Sequence, residues 1–253
     1  MKIKNLLAGG CSFTHDGIGG VPPTNDSAGG SSFKQYDDIQ PASCRSWASF
    51  LSTFLEVESF VNFAAPSHGN VLISETIISA LEKYNYKQDD TLIIFNISSM
   101  DRLDIKIDWE NSENNTNIYW TSELLDYTFA KTRGPLWKKK FASMELEEIT
   151  LLSISALEKL LKYLKDKNYM FLFTMMQDYS DNLIIQQYKD NLVTLNPGIG
   201  MHEFCKETNL LIDDNFHPTT QGHKQIAEQV LDFITKKNTA NRYNLLKTAL
   251  TVE

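Results

Sequence analysis

The apolar run Leu6-Leu7-Ala8-Gly9-Gly10 stops on two glycines and then offers Cys11, Ser12, Phe13 and Thr14. This pattern predicts a buried first strand ending in a sharp turn. Ser12 would stand at its carboxyl end, where open α/β sheets bind ligands. A serine hydroxyl stays protonated at neutral pH and becomes a nucleophile only beside a base. Near the far end of the chain, Asp213-Asp214-Asn215-Phe216-His217-Pro218 offers one. If the two meet, His217 Nε2 takes the Ser12 proton as the hydroxyl attacks an ester carbonyl, while Asp214 holds Nδ1–H and stabilises the imidazolium. A carboxylate and an imidazole three residues apart on one turn leave the far side of the ring facing the serine. Each residue also has a plainer use: Ser12 as a turn residue, Asp214 as a helix cap, His217 packed beneath it. Their joint occurrence at the two ends of an α/β pattern favours the chemical use. Asp213 competes with Asp214, at a spacing that fits less well.

The elements between them must bring these ends together. Ile3–Gly10 reads as strand one. Residues 16–43, rich in Gly, Pro, Ser, Asn and Asp and without periodicity, read as a long loop leaving directly from Ser12, in the manner of an active-site lid. Cys44–Leu55 places Trp47, Phe50, Leu51, Phe54 and Leu55 at helical spacing. Ser59–Ala64 is a second strand, Val71–Lys83 a second helix, and the continuous apolar run Thr91–Phe95 a strand covered on both faces. Residues 103–140 form an insertion with Trp109, Tyr119, Trp120, Tyr127 and Trp137. Its aromatics either stack on a substrate or pack the insertion onto the domain or a second subunit. Leu146–Lys165 is an amphipathic helix, Tyr169–Thr174 a strand, Gly200–Thr208 a helix and Leu210–Ile212 a last short strand delivering Asp214 and His217. A final helix runs to about Lys237, and 238–253 is a weak helical tail. The alternation predicts a parallel sheet between helix layers, in one domain spanning 1–237.

The two end blocks resemble the SGNH/GDSL hydrolases. Ser12 followed by Phe13 matches their first block. The run from Asp214 through His217-Pro218 to Gly222-His223-Lys224-Gln225-Ile226-Ala227 matches the last block and the helix after it. The resemblance implies a three-layer α/β/α sandwich with a flavodoxin-like strand order, and Ser12, Asp214 and His217 as catalytic residues. It also implies an oxyanion hole built from the N–H of Ser12, an N–H from the turn holding Ser67 and Gly69, and the side chain of Asn96. At the middle blocks the chain departs from the family: Ser67 stands where a glycine is usual, and Asn96, Ser98 and Ser99 are out of register with the usual Gly-x-Asn-Asp. His15 and His68 are candidates to line the substrate pocket. Cys11 stands where many relatives have Asp and reads as a small packing residue. His223 reads as structural.

Composition narrows the partners. A net charge of -8 argues against nucleic acid and anionic membranes, which are held mainly by Lys and Arg. Three scattered cysteines, Cys11, Cys44 and Cys205, suit reduced thiols better than a disulfide framework or a zinc site. The apolar stretch before Cys11 is too short for a secretion signal, and no run is long enough to span a bilayer, so a cytoplasmic protein is expected. The leading expectation is a serine esterase that cleaves an O-acyl ester of a small molecule or glycan, such as a carbohydrate O-acetyl group, and needs no cofactor or metal. The irregular middle blocks leave a second reading, a non-catalytic binding or assembly protein of the same fold. A metal-dependent hydrolase using Asp213, Asp214, His217 and His15 or His68 is a third, with no sequence pattern to fix its ligands.

Overall fold

The computed structural model describes residues 2–16, 45–66, 68–108, 118–124, 145–212 and 216–250. The expected lid, Ser67, Asp213 and Asp214, and most of the expected insertion lie outside them.

Four strands build the main sheet: β1 (Asn5–Gly9), β2 (Ser59–Asn62), β3 (Thr91–Ile97) and, after a two-stranded hairpin of β4 (Arg102–Asp108) and β5 (Ile118–Leu124), β6 (Met170–Met175). All neighbours are parallel, in the order β2-β1-β3-β6. That is the flavodoxin-like order for the first four sheet strands. Helices α1 (Trp47–Phe54), α2 (Asn70–Tyr84), α3 (Leu146–Asp166), α4 (Leu183–Gln187), α5 (Met201–Glu207) and α6 (Thr220–Leu250) connect and follow them. Side chains alternate across a strand, and the alternation divides the core in two. Leu6, Ala8, Leu92, Ile94 and Leu172 face Trp47 and Leu51 of α1, Phe204 of α5, and Ile226, Val230 and Ile234 of α6. Leu7, Ile93, Phe95, Phe171 and Phe173 face Ile73 and Ile77 of α2 and Leu157, Leu160 and Leu164 of α3. A parallel sheet with apolar residues on both faces has to be covered twice, which produces three layers.

Three elements differ from the sequence expectation. Strand β3 runs two residues past Phe95, because Asn96 and Ile97 continue the ladder to Thr174 and Met175. Leu210–Ile212 is not a fifth parallel strand. Leu211 bridges Pro218 antiparallel, Ile212 N–H donates to the His217 carbonyl at 2.9 Å, and Thr219 N–H donates to Leu210 at 2.7 Å. The sheet edge beside β6 is met instead by a parallel bridge at Leu192. Helix α6 continues through residue 238 to Leu250 without a break at Lys237. The expected insertion begins as a packed element: Leu103 is buried and β4 lies against α2 and α3. Among the described residues no helix is long and apolar enough to cross a membrane.

Candidate active site

Beyond Gly9 the chain leaves the sheet and coils once. Thr14 and His15 N–H both donate to the Cys11 carbonyl, at 3.0 and 3.1 Å, so Ser12 sits at the start of a helical turn above the carboxyl end of β1. The Ser12 side chain is nearly covered. Its Oγ lies 2.9 Å from His217 Nε2. The hydroxyl donates in that bond when His217 carries its proton on Nδ1. The structure therefore brings together two residues 205 positions apart.

The His217 ring is held by its neighbours. Phe216 lies edge-on to it and Phe13 tilts against it, with centroids 5.2 and 5.5 Å away. Its backbone is pinned by the Ile212 and Leu211 contacts already described. Within electrostatic reach is buried His223, whose pKa is lowered to about 3 by burial first and by His217 second. A positive charge on His223 is thereby disfavoured at neutral pH.

Under the Ser12 turn, Asn96 acts as a fastener. Its Oδ1 accepts from Cys11 N–H at 3.1 Å and from the Thr14 hydroxyl at 2.6 Å, and its Nδ2 donates to Cys11 Sγ and the Ile97 carbonyl. The residue is fully buried. The Thr14 hydroxyl also accepts from Trp47 Nε1 at 3.0 Å, which ties α1 into the same network. Gly10 is needed where the turn leaves the strand: with φ +150°, a Cβ there would stand 2.0 Å from Asn96 Oδ1. Asn96, expected at the oxyanion hole, thus spends its hydrogen bonds beneath the Ser12 turn.

Gly69 is engaged elsewhere in the same way. Its N–H donates at 2.8 Å to Asp104 Oδ1, while Asp104 Oδ2 accepts from Leu72 N–H at 2.8 Å. Helix α2 has no side-chain cap of its own, so a carboxylate from β4 satisfies its first N–H groups and its positive end. A Cβ at Gly69 would meet Asp104 Oδ2 at 2.7 Å, which explains the glycine. Buried Asn70 next to it accepts from Ser98 N–H at 2.9 Å and donates to the Ser98 carbonyl at 3.2 Å, joining the α2 start to the loop after β3.

His15 and His68 are brought close to one another. His68 has its pKa lowered to about 4, by burial first, then by His15 and Arg102; burial likewise lowers that of His15, against a rise from Asp16. Ser67 and Asp214 lie outside the described residues. Among the described residues, no group of three or more His, Cys, Asp or Glu side chains is placed to hold a metal ion.

The sequence reading missed Thr14, Asn70, Arg102 and Asp104 as parts of the site. The alternation Arg102-Leu103-Asp104-Ile105, with charged residues on one face of a strand, was the available signal. It reads as an exposed edge until the fold places that face against α2.

No protein-family model matches the chain, and a search of curated proteins found no relative. Among solved structures, the chain is similar to a psychrotrophic esterase, EstA, from Pseudoalteromonas sp., in a structure inhibited by monoethylphosphonate. The identity is 12% over 93% of this chain and 99% of that one, with a TM-score of 0.48. It is also similar to a protein from Parabacteroides merdae described as a GDSL-like lipase, with 13% identity over 92% of this chain and 95% of that one and a TM-score of 0.43.

Proposed function

We propose that this chain is a serine esterase of the SGNH type, hydrolysing an O-acyl ester through an acyl-enzyme. The observation that carries the reading is the 2.9 Å contact between Ser12 Oγ and His217 Nε2 at the carboxyl end of the sheet. In the first half-reaction the Ser12 proton passes to His217 as the Oγ–carbonyl carbon bond forms. The bond from that carbon to the alcohol oxygen then breaks, and His217 returns the proton to the leaving alcohol. Water repeats the sequence and releases the acid.

Asp214 is assigned to His217 Nδ1 on its spacing in the sequence. For the oxyanion, Ser12 N–H makes no hydrogen bond among the described residues and is the first donor; Ser67 N–H is assigned as the second from the resemblance. Gly69 and Asn96 take positioning roles in this scheme, since their donors are engaged with Asp104 and with Cys11 and Ile97. His15 and His68 line the approach to Ser12. The substrate class is a small-molecule or glycan ester, with a carbohydrate O-acetyl group as the leading candidate, and the scheme needs no cofactor.

The test pairs fluorophosphonate labelling with p-nitrophenyl acetate hydrolysis for the wild type, Ser12→Ala and His217→Ala. Both signals should vanish in the variants, with kcat down by about 10⁴-fold or more. A folded wild type that neither labels nor turns over any ester would sink the reading.

A further inference from the structure

Arg102, at the start of β4, is 4% exposed. Its Nη1 donates to the His68 carbonyl at 2.9 Å, and its buried Nε has no partner. A guanidinium carries five N–H donors, and a charge this deep is costly unless an anion and hydrogen bonds meet it. Among the described residues no carboxylate lies within ion-pair distance of it. Asp104, two positions along the same strand face, has both oxygens on the N-terminus of α2. Asp101 accepts from the Ser99 hydroxyl.

The side chains around Arg102 share its bias. His15 and His68 each keep a buried Nδ1 without a partner. Arg102 and His15 both act on His68 to disfavour its positive form, and the carboxylates nearby are engaged elsewhere: Asp104 with the start of α2, and Asp16 with Ser46 N–H and Asn62 Nδ2. This corner also adjoins the nucleophile. His15 follows Ser12 by three positions in a helical turn and so shares its side of that turn. The turn bearing His68 is fastened to the nucleophile's turn by Ala65 N–H, which donates to the Gly10 carbonyl at 3.2 Å.

We propose that Arg102, with His68 and His15 beside it, forms a subsite for an anionic group, a carboxylate or a phosphate, carried by the ester substrate. The assignment rests on Ser12 being the nucleophile, because only then is this corner part of a substrate pocket. The guanidinium takes the anion through its planar fork, and the two imidazoles add neutral N–H donors.

The test uses the Ser12→Ala protein, which holds an ester without consuming it. Isothermal titration compares four ligands: 4-acetoxybenzoate, 4-acetoxyphenyl phosphate and mono-phenyl succinate, which carry anions on the alcohol or the acyl side, and neutral 4-acetoxybenzamide. The expected result is that one of the anionic esters binds about thirtyfold tighter than the amide or better, and which one identifies the anion and its side. Adding Arg102→Gln should erase the preference, bringing the anionic esters to the same affinity as the amide. Should that double variant fail to fold, Arg102→Lys keeps the charge without the fork and should lose part of the preference. Equal binding of anionic and neutral esters, no detectable binding of any anionic ester, or a preference that survives Arg102→Gln would each overturn the proposal. The titration does not depend on turnover, so a failed esterase reading is seen separately, as wild-type protein that does not label.

Discussion

Replacing Asn96 by alanine separates a residue that positions Ser12 from one that stabilises an oxyanion. The substitution removes the acceptor of Cys11 N–H and of the Thr14 hydroxyl, both buried, and the donor to Cys11 Sγ. Each buried group left without a partner costs about 1–3 kcal/mol. With two such groups and partial relaxation, a loss of about 3 kcal/mol is expected, or a drop in Tm of roughly 6–12 °C for a domain of this size. The Ser12 turn then loses its fastening to β3. A displacement of the order of 1 Å at a reacting atom can cost about a hundredfold in rate, so kcat and the fluorophosphonate labelling rate should fall together by about 10–100-fold, with KM little changed. Urea denaturation and initial-rate kinetics on the same preparation give both quantities. Thr14→Val strikes the same network, so the double variant should lose less stability than the two single losses added together. An oxyanion donor behaves differently: its removal costs about 10²–10³ in kcat and need not touch stability. Asn96→Ala protein with wild-type Tm and a kcat loss of that size would refute the positioning argument and return Asn96 to the oxyanion hole.

Other consequences can be checked on the same material. Asp104→Ala takes both acceptors from the start of α2 and should destabilise the fold by about 1–2 kcal/mol in chemical denaturation; Gly69→Ala forces a Cβ against the Asp104 carboxylate and should do so as well. Stability should fall on acidification. His68 and His223 have pKa values lowered from 6.5 to about 4 and about 3, so below 6.5 the unfolded chain binds protons that the folded one refuses. Loss of stability should begin as pH drops through 6.5 and continue to about 3, and a folded His223→Asn variant should show a shallower slope over that window. Burial raises the pKa of the Cys205 thiol to about 12, so Cys205 should resist Ellman's reagent in the native protein and react on unfolding in guanidinium.

Much of this architecture is determined locally. Apolar runs such as Thr-Leu-Ile-Ile-Phe and helical repeats such as Trp47, Phe50, Leu51 and Phe54 identify strands and helices because burial on two faces or one leaves a period in the sequence. Parallel connection then leaves few topologies, and the two terminal blocks single out Ser12 and His217 before any coordinates are known. Tertiary structure decided what those residues rest on. Asn96 holds a turn 85 positions earlier, Asp104 caps α2 through its N-cap residue Gly69, 35 positions before it, and Arg102 is buried against the His68 backbone. The alternation at Arg102–Ile105 marks a strand face without saying what it meets, and Asn96 leaves no period at all, because a hydrogen bond across the fold constrains two side chains and nothing between them. The last strand was misjudged for a related reason. Leu210-Leu211-Ile212 has the composition of a parallel strand, yet Leu192 meets the edge of the sheet, and the segment pairs with Pro218 and fixes the His217 backbone beside Ser12.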